Sequence, residues 1–79
     1  MVQMDDSAIR KRIEKDIELF KVNIKSISSN DPKIKRVIEL SGMYAQDSKS
    51  YLDKGDLYTS FSCISYAHGL LDAVKDIIK

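Results

Sequence analysis

The sequence predicts an all-α fold: a three-helix up-down-up bundle with short connections and the third helix at its centre. Three observations carry that expectation. Apolar residues recur at helical spacing through three long segments. Two turn signals, S-S-N-D-P and K-G-D, separate those segments. The last segment, G-D-L-Y-T-S-F-S-C-I-S-Y-A-H-G-L-L-D-A-V-K-D-I-I, is apolar around most of its circumference, so the others must cover it. The 79 residues form a single domain spanning 1–79, with helices expected over about 6–28, 32–54 and 56–78.

The first helix rests on Ile13, Ile17, Phe20, Ile24 and Ile27, whose alternating steps of four and three make a helix-packing seam. Asp5, Asp6 and Ser7 put acceptors and negative charge at its start, where free N–H groups and the helix dipole favour them. Arg10, Lys11, Arg12, Glu14, Lys15, Glu18 and Lys21 are expected on its outer face, with Glu18 and Lys21 within reach of each other. Asn30 is a candidate left-handed stop, Asp31 a candidate N-cap and Pro32 a first helical residue. In the second helix Ile34, Val37, Ile38, Ser41, Tyr44, Ala45, Ser48, Tyr51 and Leu52 fall on one arc. Its middle is small, at Ser41, Ala45 and Ser48, which lets two backbones approach. Gly55 and Asp56 then read as a helix stop and a new N-cap.

On the third helix Leu57, Phe61, Ile64, His68, Leu71 and Ile78 cluster on one arc, and Cys63, Tyr66, Leu70, Ala73 and Ile77 on a second. One arc is expected to take the second helix and the other the first; a four-helix arrangement made by dimerisation satisfies the same faces. Between them lies a narrow small or polar strip of Ser62, Ser65, Gly69, Asp72 and Asp76. Gly42 and Gly69 both read as outward-facing, and a mid-helix glycine costs about 1 kcal/mol relative to alanine.

Charge and composition exclude several classes. Thirteen basic residues against twelve acidic ones provide no field for a polyanion, so strong non-specific nucleic-acid binding is disfavoured. The single Cys63 makes no intrachain disulfide, and no Cys/His pairs stand at zinc spacing, which fits a reducing compartment. The N-terminal M-V-Q-M-D-D-S-A-I-R-K-R carries charge where a signal peptide needs an apolar core. No apolar run approaches the ~20 residues that span a bilayer. A soluble, cytoplasmic protein with no membrane association is expected.

Candidate chemistry is sparse. His68, Tyr66 and Asp47 form a candidate polar centre, with Asp72 one turn beyond the imidazole. A structural role is the simpler reading, with His68 bonded to Ser41, Ser48 or a carboxylate. A lone histidine is not a zinc site, which takes about three or four protein ligands. No arginine shortly precedes His68, so a small helical ribonuclease of the Arg–His type would lack its transition-state cation. Nothing nearby activates Cys63, and an apolar face raises a thiol's pKa. Tyr44, Tyr51, Tyr58 and Tyr66 could offer a stacking platform, although Tyr44 and Tyr51 lie on the packing stripe. Phosphate loops and nucleophile elbows are missing from the sequence. Catalytic residues, cofactors and metals are therefore not expected.

The stretch Ala45–Ala73, with D-S-x-x-Y-L-x-K-G-D before the turn and I-S-Y-A-H-G-L-L-D-A after it, resembles an archaeal family of short helical proteins, domain-of-unknown-function family 357. The run from Tyr66 to Ala73 is its most specific part, and the first helix matches in helical character alone. Ser60 stands where the family pattern has alanine. The resemblance implies a compact helical domain and no activity. A looser likeness to tetratricopeptide hairpins, through G-D-L-Y-T-S-F-S-C-I-S-Y-A, lacks the repeat a solenoid needs.

The functional expectation is a non-catalytic helical interaction module, binding itself or a protein partner through Ser62, Ser65, Gly69 and Asp72. The alternative is nucleic-acid or ribonucleoprotein association through Arg10, Lys11, Arg12 and Lys15, joined by Lys33, Lys35 and Arg36 if the fold brings them together. A small enzyme using His68, Asp72 and Tyr66 is a third reading.

Overall fold

Three helices pack side by side in the computed structural model, which describes residues 6–79. They are α1 (Asp6–Lys25), α2 (Pro32–Asp53) and α3 (Leu57–Ile78). Short connections force α1 to run up, α2 down and α3 up, giving a rod of 46 × 23 × 18 Å. α3 packs on both neighbours and most extensively on α2.

The helix ends follow the side chains that stop them. Asp31, with extended backbone, accepts a hydrogen bond from the Lys33 N–H at 2.8 Å, and Pro32 begins α2. At the other end Gly55 takes φ +83°, the left-handed conformation that a Cβ resists. The Asp56 N–H reaches the Tyr51 carbonyl and the Gly55 N–H the Leu52 carbonyl, both at 3.0 Å, closing a Schellman turn. Asp56 then caps α3 through the Thr59 N–H at 3.1 Å. The first boundary differs from expectation. Asn30 is not left-handed, since among the described residues Gly55 alone has positive φ. Instead α1 ends at Lys25, and Ser26 and Ile27 tighten into three-residue bonds to Asn23 and Ile24. The tighter winding keeps Ile27 buried past the helix end. Asp6 supplies the acidic first turn, whereas the expected contribution of Asp5 lies outside the described residues.

The core is Ile13, Ile17, Phe20 and Ile27 from α1 and its exit, Leu52 from α2, and Ile64, Ala67, Leu71 and Val74 from α3. Each buried aliphatic side chain contributes about 1.5–3 kcal/mol by leaving water. The α3 face differs from the two arcs read in the sequence. Its buried seam is Ser60–Ile64–Ala67–Leu71–Val74, which takes Ile64 and Leu71 from the first arc and adds Ser60, Ala67 and Val74 from outside both. The outer edges of both arcs, Phe61 on one and Tyr66, Ala73 and Ile77 on the other, face solvent, as does Ile78 at the C-terminal end. In a three-helix bundle both neighbours lie on one side of each helix, so one broad face is buried and its far side is left bare.

Serine does part of the packing. Ser41, Ser48 and Ser60 are all 0 % exposed. The Ser48 hydroxyl donates to the Ser60 carbonyl and the Ser60 hydroxyl to the Ser48 carbonyl, each at 2.7 Å. Each hydroxyl has one proton, so the 3.1 Å approach of the two oxygens is proximity rather than a third bond. This reciprocal clamp holds α2 and α3 close, and hydroxyls buried with their bonds made carry no desolvation penalty of unsatisfied groups. Ser41 bonds within its own helix, to the Ile38 carbonyl at 2.6 Å.

Candidate functional site

α3 turns a continuous face to solvent. Tyr58, Ser62, Ser65, Gly69, Asp72 and Asp76 are all exposed and follow one another at steps of four, three, four, three and four. That spacing is a helix-packing seam on a face with no helix against it. Tyr58 is 85 % exposed, Tyr66 52 % and Ile77 69 %, so large apolar groups flank the small ones. A Cβ built on Gly69 meets nothing within 4 Å. The expected strip of Ser62, Ser65, Gly69 and Asp72 is thus accessible along its whole length.

Gly42 behaves differently from its sequence reading. It is half-buried and faces α1, where a Cβ would meet Ile24 Cδ1 at 3.8 Å, an ordinary contact. It lines a shallow groove between α1 and α2 with Ile17, Phe20 and Ala45. A larger groove of about 440 Å³ opens where the N-termini of α1 and α3 lie side by side, lined by Asp6, Ile9, Arg12, Leu57, Tyr58 and Phe61. The Arg12 guanidinium sits 5.9 Å from the centre of the Phe61 ring and 3.3 Å from the Asp16 carboxylate. The sequence reading assigned Arg12 to a charged face and Phe61 to the core. Neither signal, taken alone, places them beside each other.

The residues of the expected polar centre do not converge. His68 is half-buried on the α1 flank of α3, its Nε2 2.8 Å from the Asp16 carbonyl. A carbonyl only accepts, so Nε2 carries the proton and donates. The partner is therefore a backbone carbonyl of α1, in place of Ser41, Ser48 or a carboxylate. Phe20 meets the imidazole edge-on, 5.5 Å between ring centres. Tyr66 lies on the opposite flank, edge-on to Tyr44 at 4.7 Å. Asp47 is exposed on α2 and acts on Cys63 instead. Burial, reinforced by the charges of Asp47 and Asp56, pushes the Cys63 thiol up from its ordinary value. That makes it a poorer nucleophile at neutral pH. Among the described residues, no three His, Cys, Asp or Glu side chains are grouped so as to hold a metal ion. No helix among them is long and apolar enough to cross a membrane.

The basic residues are dispersed. Arg10 leaves the outer face and donates to the Leu52 carbonyl at 3.2 Å, placing a cation on the C-terminal end of α2. The same contact fixes α1 antiparallel to α2, which carries Lys33, Lys35 and Arg36 to the far end of the rod. Lys21 pairs with Glu18 at 3.2 Å, as expected, and Arg36 approaches Glu39 at 4.0 Å.

The sequence model of the family described as "Protein of unknown function (DUF357)" matches residues 10–77. The chain belongs to this family. The match takes in α1 from Arg10 onward as well as the α2–α3 hairpin, so the DUF357 pattern reaches all three helices. The comparison with curated proteins found no match. The family description names no function, and the role is left to be argued from the surface.

Proposed function

We propose that this DUF357 chain is a non-catalytic, cytoplasmic interaction module that binds a protein through the solvent face of α3. Gly69 carries the reading. It costs its helix about 1 kcal/mol relative to alanine, and nothing within the fold lies close enough to require a missing side chain. A second helix laid along Tyr58, Ser62, Ser65, Gly69 and Asp72 supplies that requirement, because small residues let backbones approach while Tyr66 and Ile77 close over the sides. The neutral charge balance and single cysteine agree with a cytoplasmic setting.

The alternatives draw less support. Nucleic-acid association through α1 loses Arg10 to the end of α2, and antiparallel packing keeps Lys11, Arg12 and Lys15 apart from Lys33, Lys35 and Arg36. A reaction centred on His68 lacks Tyr66 and Asp47, which point elsewhere. The direct test compares the wild-type chain with Ser65→Glu as immobilised baits. Residue 65 is exposed, so the substitution is expected to leave the fold intact. A defined protein retained by the wild type and released by the variant supports the reading. Equal retention by both removes α3 as the binding face.

A further inference from the structure

We infer that the occupant of the α3 face is a second copy of the same chain, lying antiparallel. This rests on the reading of that face as a binding surface and adds the identity of the partner. The exposed seam at residues 58, 62, 65, 69, 72 and 76 has the same spacing read in either direction, centred on position 67. A two-fold axis at that centre sets 58 against 76, 62 against 72 and 65 against 69, so every seam position meets another seam position.

The chemistry of the seam is matched in this orientation. Its first half carries hydroxyl groups, on Tyr58, Ser62 and Ser65, and its second half carries the carboxylates of Asp72 and Asp76. Antiparallel pairing sets the Tyr58 hydroxyl against Asp76 of the other copy, donor against acceptor, and places Asp72 opposite Ser62, whose own proton goes to the Tyr58 carbonyl at 3.0 Å. It also brings Asp76 beside the first turn of the neighbouring α3, at the positive end of that helix's dipole. Arg12, held against the neighbouring Phe61 ring and paired on its Nε side with Asp16, leaves its outer guanidinium nitrogens for the other copy's Asp72. At the centre Ser65 faces Gly69, a pair with almost no side-chain bulk, where the helix axes come nearest. Parallel pairing does the reverse, setting Asp72 against Asp72 and Asp76 against Asp76, and like charges there repel.

Sedimentation equilibrium of the purified chain, with two cross-linking variants, tests this. The chain is expected to dimerise, and Ser65→Glu to weaken the dimer at least tenfold while the circular-dichroism melt stays cooperative. In a Cys63→Ser background, chains carrying Tyr58→Cys are mixed with chains carrying Asp76→Cys and treated with a short bis-maleimide. The mixture is expected to link 58 to 76, and neither chain alone to link to itself. Like positions lie about 27 Å apart in the antiparallel pair, at 1.5 Å per residue. A monomer at several hundred micromolar overturns self-pairing and leaves the bait comparison to judge the binding face. A dimer that links 58 to 58 or 76 to 76, or one indifferent to Ser65→Glu, overturns the antiparallel arrangement.

Discussion

The two helix interfaces of α3 are built on opposite plans. Towards α2 the contact is small and polar at its heart: Ser48 and Ser60 exchange hydroxyl–carbonyl bonds and the backbones close together. Towards α1 the contact is large and apolar: Ile13, Ile17 and Phe20 plug the gap, and a groove remains at its N-terminal end. Two polar tethers, Arg10 to the Leu52 carbonyl and His68 to the Asp16 carbonyl, hold α1 in register. The difference is one of mechanism. The hairpin gains from proximity and directed bonds, whereas α1 is held mainly by area removed from water.

The largest expected effect comes from attacking the apolar interface. Ile13 is 0 % exposed, and Ile13→Ala is expected to cost about 2–5 kcal/mol in urea denaturation, loosening α1 before the hairpin. A loss spread evenly over all three helices in hydrogen exchange would erase the contrast. The hairpin interface responds to size more than to polarity. Ser60→Leu is expected to cost about 1–3 kcal/mol through overpacking, and Ser60→Ala only about 1 kcal/mol for one lost hydrogen bond. If Leu were tolerated better than Ala, the close approach of α2 and α3 would not be what matters.

The tethers come next. Arg10→Met keeps the aliphatic stem and removes the donor, for an expected loss of about 1 kcal/mol that persists in moderate salt because the bond is to a carbonyl. Gly69→Ala tests the bare face. It is expected to raise the stability of the isolated chain by about 0.5–1 kcal/mol, since the added methyl meets nothing. The smallest effect concerns the hairpin turn. Hydrogen bonds from the Thr59 side chain and backbone N–H hold the Asp56 carboxyl below its ordinary value of 3.8. A lowered folded pKa gives stability that is present above the ordinary value and lost as pH falls through the folded one. Asp56→Asn is therefore expected to flatten the acid limb of the stability profile below about pH 4, with little change at neutral pH.

Much of this architecture was legible from local chemistry. Asp31-Pro32, Gly55-Asp56 and the α1 seam of Ile13, Ile17, Phe20, Ile24 and Ile27 specify helix ends and an inward face, because caps and periodicity act within a few residues. The stop at Asn30 is not what ends α1, since a tight three-residue turn at Ser26 and Ile27 does the same job without a left-handed residue. The α3 wheel misled for another reason. Hydrophobic size marked two arcs, but Ser60 and Ala67, small and central, lie on the buried seam and outside both. The candidate strip of Ser62, Ser65, Gly69 and Asp72 was readable as a pattern, whereas the companionship of His68, Tyr66 and Asp47 was not, for they sit on different flanks.

By itself, the sequence determined three helices, their turns and the apolar stripe of the first, all consequences of backbone geometry and short-range hydrogen bonding. Tertiary structure decided which serines become core, that Arg10 abandons the charged face for the end of α2, and which side of α3 stays uncovered. Those outcomes depend on what stands opposite each residue across tens of positions in the chain. Burial and satisfied hydrogen bonds are properties of the pair, and no single helix carries them.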